Sequence, residues 1–150
     1  MLPFLAGERS PGWAGDVRAT IAGLTLGTTP LEVLRASMEA VAYRFALIHE
    51  RICGQGDRQH RLIASGAAAL HSPAWMQIFA DVLGRPVVAS AEPEATSRGA
   101  ALLALEALGA LPAIDAAPPA DGAVYEPDPS RHERYRSAIE RQQRLYELLV

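Results

Sequence analysis

Four small residues in a row, Ser65-Gly66-Ala67-Ala68, follow the apolar run Arg61 to Ala64 and precede Ser72-Pro73. A small-residue loop between a strand and a helix can bind an anion. With little side-chain bulk, main-chain N–H groups reach a phosphate beside a helix N-terminus. His71 lies at the end of this loop and can touch the same ligand, or simply be a solvated loop residue. The bland reading of the whole loop is an ordinary strand-to-helix turn. Gly7-Glu8-Arg9 is the second candidate. Arg9 offers a planar fork to a carboxylate or phosphate at the rim of a cleft. Alternatively, Glu8 and Arg9 form a buried pair that braces the loop.

Other chemistry-bearing residues read as structural. Asp81 sits among helix residues and fits a helix surface packed on the next strand. Glu94 and Arg98 stand at the i,i+4 spacing of a simple helix pair. Glu39 lies beside the apolar stripe of a long helix. His49, His60, His71 and His132 show no metal-ligand spacing, and Cys53 has no sequence neighbour that suggests a zinc site. No metal ligand is therefore expected. Trp13 and Trp75 read as packing anchors.

The elements that must position these residues follow from periodicity and caps. Thr20 to Leu26 reads as a short strand. Thr28-Thr29-Pro30 starts a helix whose stripe is Leu31, Leu34, Met38, Val41, Phe45 and Ile48, ending near Cys53-Gly54. Gly54 to Asp57 is a turn, and Arg61 to Ala64 a strand. Ser72 caps the next helix, which buries Trp75, Ile78, Phe79, Val82 and Leu83 and stops at Gly84. Pro86 to Ala89 is a strand, and Thr96 or Ser97 caps a helix that runs to Leu108 before Gly109. Residues 110–128 are a proline-bearing, linker-like wrap. Ser130 caps a final helix over 130–150, with Tyr135, Ala138, Ile139, Leu145, Tyr146 and Leu149 on its apolar side. Strands alternating with helices imply an α/β domain with a mainly parallel sheet.

The 150 residues suit one domain, 1–150, and 49% of them are hydrophobic, a globular composition. Net charge is −3, and no basic face stands out, so no nucleic-acid partner is expected. The apolar runs at Met1–Ala6 and Gly99–Leu105 are too short to span a membrane. A single cysteine cannot form an internal disulfide, which suits the cytoplasm.

Three blocks in order resemble the C-terminal lobe of the FGGY carbohydrate kinases. The first is Leu2-Pro3-Phe4-Leu5-Ala6-Gly7-Glu8-Arg9-Ser10-Pro11-Gly12-Trp13. The second runs Ala19-x-Ile21-x-Gly23-Leu24, then seven residues, then Glu32-Val33-x-x-Ala36-Ser37-Met38-Glu39. The third spans Ser65 to Ala101. The Gly-Glu-Arg-Ser-Pro-Gly-Trp form and the long Ser65-to-Ser72 loop look most like gluconate kinases, with xylulose kinases the second choice.

The resemblance implies a partial ribonuclease H/actin-like lobe, β-α-β-α-β-α plus a C-terminal helix, that lacks the lobe's first strands. It implies a transferase that moves the γ-phosphoryl of ATP, with Mg²⁺, to a sugar or sugar-acid hydroxyl. It places adenosine or its phosphates at Ser65, Gly66, Ala67, Ala68 and His71. Ala67 stands where the family often has a second glycine, so a positive φ there would strain it. The family's catalytic Asp and N-terminal lobe lie upstream of these blocks, so this chain alone is expected to be inactive. In the family's strand order, Thr20–Leu26 would have no neighbour. A rearranged sheet, a poorly soluble fragment, or pairing with a partner would follow, the partner being a missing N-terminal kinase part or a second copy. The alternative to a kinase part is a non-catalytic interaction module that completes its sheet with another chain.

Overall fold

The structure is a computed structural model that describes residues 1–54 and 60–150. Its elements in chain order are α1 (Pro30–Cys53), β1 (Leu62–Ala64), α2 (Ala67–Leu70), α3 (Pro73–Leu83), β2 (Val87–Ser90), α4 (Ala95–Ala107), a 3-10 turn (Ile114–Ala116), β3 (Asp121–Tyr125) and α5 (Pro129–Leu149). Apart from Gly54, the turn expected over Gly54 to Asp57 lies outside the described residues.

Local chemistry sets the ends of the two central helices. Thr29 and Glu32 cap α1 reciprocally. The Thr29 hydroxyl accepts from the Glu32 N–H at 3.3 Å, and the Glu32 carboxylate accepts from the Thr29 N–H at 2.8 Å. The Ser72 hydroxyl accepts from the Trp75 N–H at 3.3 Å, Pro73 occupies the first turn, and Gly84 closes α3 in the left-handed region. Two helix starts differ from the sequence reading. Glu94, not Thr96 or Ser97, precedes α4, with no side-chain cap. Asp128, not Ser130, caps α5, because its carboxylate reaches both the Ser130 and Arg131 N–H groups.

The sheet order is β1-β2-β3, with β1 and β2 parallel and β2 and β3 antiparallel. The β3 strand lies within 110–128, where a linker-like wrap is expected. Its sequence, Asp121-Gly122-Ala123-Val124-Tyr125, is weakly β-forming and mostly exposed. Gly122 admits the close approach of β2, since a Cβ there would lie 2.8 Å from the Ala89 carbonyl oxygen.

The strand expected over Thr20 to Leu26 is absent. Only Thr20 pairs, in an isolated bridge with Leu2. Ile21, Leu24 and Leu26 are exposed, so this β-branched run has no apolar surface to lie against. Propensity alone does not hold a strand without a neighbour.

The core is centred on α3. Met76, Ile78, Phe79, Ala80 and Val82 pack with Ala42 and Tyr43 of α1, Val87 of β2 and Tyr135 of α5. The Trp75 indole donates to the Met38 carbonyl at 3.0 Å, fixing α3 against α1. Gln142, buried on α5, donates to the carbonyls of Ala40 at 3.0 Å and Met1 at 2.9 Å. Only the middle of the α1 stripe is covered. Met38 and Val41 pack on the core, while Leu31, Leu34 and Phe45 are exposed.

A polar cluster sits beside this core. Glu39 accepts from the Tyr135 hydroxyl at 2.9 Å, the Tyr43 hydroxyl at 3.3 Å and the Arg35 Nε at 2.8 Å. Burial pushes both phenols above the ordinary tyrosine value, and for Tyr43 the Glu39 charge adds to it. Above pH 10 the unfolded chain loses phenolic protons that the folded chain retains, so stability falls as pH rises. The expected slope is about 1.4 kcal/mol per pH unit for each retained phenol. The chain has no lysine, so the alkaline change is not masked by ammonium groups. Urea unfolding at several pH values above 9 reads the slope. Tyr43→Phe is expected to flatten it, and an unchanged slope would exclude Tyr43.

Candidate functional site

β1 ends at Ala64, and the chain leaves it through Ser65 and Gly66, both exposed. Gly66 has φ +102°, which a side chain would strain, and a Cβ there would meet open space. Ala67 and Ala68 are exposed on the single helical turn α2, which Gly66 leaves without a side-chain cap. Ala67 does not carry the positive φ considered from its sequence position, because Trp13 is the only described non-glycine residue with one. His71 ends α2, exposed, its N–H donating to the Ala67 carbonyl at 2.9 Å. The loop thus lies exposed at the carboxyl end of a strand, the usual ligand side of an α/β sheet.

Beside the loop lies an apolar groove of about 290 Å³, floored by Leu62, Phe79 and Val87 and reaching Ser65 and Ala69. Its sides include Phe45 and Ile63, both exposed. β1 has a single hydrogen-bonded neighbour, β2, so its other edge is open among the described residues.

The three residues considered for a cleft rim separate. Gly7, at φ +82°, packs so closely on Gly15 that a Cβ would collide with its carbonyl. Glu8 is buried and pairs with Arg44 of α1, not with Arg9. Its second carboxylate oxygen accepts from the Tyr146 hydroxyl at 2.5 Å, which, with burial, pushes that phenol up. The Arg44 guanidinium lies 5.2 Å from the Phe4 ring centre and 4.9 Å from that of Tyr146. Arg9 alone of the three is exposed.

Asp81 is structural as expected, but it serves the start of α5 and not a helix surface packed on the next strand. It is 1% exposed and accepts from Gln77 at 2.8 Å, from the Asp128 N–H at 2.8 Å and from Arg131 at 3.3 Å. Arg98 pairs with Glu92 at 3.0 Å, where the sequence suggested Glu94. It also donates to the Ala117 carbonyl at 2.8 Å.

One cluster escapes the sequence reading. His49, Cys53 and His60 bring their ligating atoms within 4.8 Å of one another. The available signal was the i,i+4 spacing of His49 and Cys53 on α1, which puts both on one helix face. Burial, then Arg85, then His60 lower the pKa of His49, favouring its neutral form.

The small sheet with helices, and the loop at its strand end, place the chain among kinase lobes of the ribonuclease H/actin-like fold. It superposes on the ligand-bound xylulose kinase of Lactobacillus acidophilus with a TM-score of 0.87 at 25% identity, covering 99% of this chain and 30% of that one. Gluconate kinase from the same organism gives 0.86 at 25% identity, again covering 99% and 30%. In sequence, residues 1–108 match the FGGY family of carbohydrate kinases, C-terminal domain. The glycerol kinase of Acidovorax sp. (strain JS42) is 38% identical over 120 residues, 77% of this chain and 24% of that protein. The gluconokinase of Bacillus subtilis (strain 168) is 33% identical over 129 residues, 85% and 25% respectively. The chain belongs to the FGGY family of carbohydrate kinases, through its C-terminal domain. It spans about a quarter of the length of these two curated relatives.

Proposed function

We propose that this chain is the nucleotide side of an ATP-dependent carbohydrate kinase that phosphorylates a sugar or sugar acid, gluconate-like, in the cytoplasm. The observation that carries the reading is the Gly66 loop, exposed at the carboxyl end of β1 inside the family-matching segment. Its open backbone fits adenosine or a phosphate, which Ser65, Gly66, Ala67, Ala68 and His71 would contact. Arg9, the exposed residue of the three considered for a rim, would supply a guanidinium to such a ligand. ATP supplies the phosphoryl group when bound. This chain's residues orient it and donate main-chain N–H groups to its charge. Mg²⁺ would arrive on the phosphates, because among the described residues no cluster of metal-binding side chains meets at the loop. A carboxylate base for the sugar hydroxyl would come from kinase sequence outside this chain. Alone, the chain binds nucleotide without turnover.

Titration of the chain with a non-hydrolysable ATP analogue, followed by amide NMR, tests this. Shifts at residues 65–71 with millimolar or tighter affinity are expected. Gly66→Val should weaken binding about tenfold, through roughly 1–2 kcal/mol of backbone strain. Absence of binding at millimolar analogue would overturn the nucleotide reading. Turnover of gluconate, xylulose or glycerol well above background would overturn inactivity.

The open β1 edge and exposed Phe45, Ile52 and Ile63 favour a second reading. The chain is then an interaction module or split-kinase subunit that completes its sheet with a partner, an N-terminal kinase part or a second copy. Such a module would not require ATP.

A further inference from the structure

Away from the loop, three ligand-type side chains converge. The helical repeat sets His49 and Cys53 one turn apart near the end of α1, and His60 precedes β1. The two imidazole Nε2 atoms are 3.0 Å apart, and the Cys53 Sγ is 3.1 Å from the His60 Nε2. Arg85 lies over them, its NH1 3.1 Å from the His60 Nε2 and 3.3 Å from the His49 Nε2.

A guanidinium has donors only, so Arg85 is the donor wherever it bonds an imidazole nitrogen. Both Nε2 atoms face the same space. A thiol sulfur points into the same space. A tetrahedral zinc ion with bonds of about 2.0 Å to nitrogen and 2.3 Å to sulfur separates its ligands by roughly 3.3–3.6 Å. The two spacings to His60 are a few tenths of an ångström tighter, and the His49 and Cys53 ligating atoms lie within 4.8 Å, so small side-chain rotations reach the tetrahedral geometry.

We propose that His49, Cys53 and His60 form a three-ligand site for a thiophilic divalent cation, with Zn²⁺ the fitting ion and water the fourth ligand. Two imidazoles and a thiol suit Zn²⁺, whereas Mg²⁺ and Ca²⁺ require oxygen ligands. Binding releases the Cys53 thiol proton to solvent, and the thiolate bonds the metal. Arg85 withdraws its NH1 from the two rings and keeps the 2.8 Å bond from NH2 to the His60 carbonyl. The ion ties the end of α1 to the start of β1. This site is independent of the kinase reading.

Cys53 is the only cysteine, so thiol chemistry reports this position alone. The untagged full chain, reduced and metal-free, is mixed with Zn²⁺ and alkylated with iodoacetamide. Zn²⁺ should slow alkylation at least about tenfold, and a chelator should restore it. With Co²⁺, one equivalent per chain should give a thiolate charge-transfer band that Cys53→Ser removes. His49→Gln and His60→Gln should each abolish the protection, with metal-free circular dichroism confirming that both variants fold. Unprotected alkylation and no Co²⁺ band in the wild-type chain would overturn the site. Protection that survives in both histidine variants would also overturn it, because the sulfur would then bind metal without the imidazoles.

Discussion

Glu8→Leu is expected to destabilise the chain by about 3–5 kcal/mol, because it leaves the Arg44 charge buried without its carboxylate. Both side chains are largely withdrawn from water, at 2% and 10% exposure for Glu8 and Arg44. Removal of Glu8 also takes the acceptor from the Tyr146 hydroxyl. The Phe4 and Tyr146 rings still face the guanidinium, which argues for the lower half of the range. Glu8→Gln retains an acceptor and should cost about 1–3 kcal/mol. The double variant Glu8→Leu, Arg44→Leu should recover much of the single loss, since two apolar groups replace a matched pair. Urea unfolding of the four proteins reads these differences. A Glu8→Leu loss under 1 kcal/mol would show that water reaches Arg44 in solution.

Asp81→Leu has the second-largest expected effect, about 2–4 kcal/mol. One carboxylate serves three donors from two elements. Gln77 lies on α3, while the Asp128 N–H and Arg131 belong to the start of α5. Leucine keeps the volume and removes every acceptor. The His132 ring should stay seated, because its Nδ1 bonds the Asp81 main-chain oxygen at 3.0 Å. That seat depends on Gly84, where a Cβ would come within 2.6–2.8 Å of the ring. Damage should therefore concentrate at the first turn of α5. Hydrogen exchange at residues 128–131 is expected to accelerate far more than exchange in α3. Asp81→Asn keeps one acceptor and should show a milder form of both effects. Uniform acceleration across α3 and α5 would contradict a local staple.

Elements with local punctuation were legible in the sequence. Thr29-Pro30 and Ser72-Pro73 mark helix starts, and Gly54 and Gly84 mark ends, because caps are satisfied within a few residues of chain. The turn at Ser65-Gly66 was legible for the same reason, but the helical turn Ala67–Leu70 that follows it was not. The features not legible depend on partners far along the chain. Thr20 to Leu26 has strand-forming residues, but its fate depends on whether another strand lies beside it. Asp121 to Tyr125 has weak strand residues, yet β2 gives it a ladder. Glu8 has an arginine next to it in sequence, but the fold delivers Arg44 to it. His60 reaches Cys53 only because the fold returns the chain to the end of α1 before β1 begins. Chemical type was readable at each of these positions, and spatial neighbour was not.

The contacts of the first residues with α5 also bear on the order of events during synthesis. Met1 is bonded by Gln142, 141 residues later, and Glu8 by Tyr146, 138 residues later. Phe4 sets its ring edge against the same tyrosine. A ribosome delivers residues 1–13 long before it delivers these partners. The opening loop is therefore the first of these parts to be made and among the last to settle. Throughout that interval Phe4 lacks its tyrosine neighbour, and it stays available to chaperones or to other nascent chains until α5 emerges.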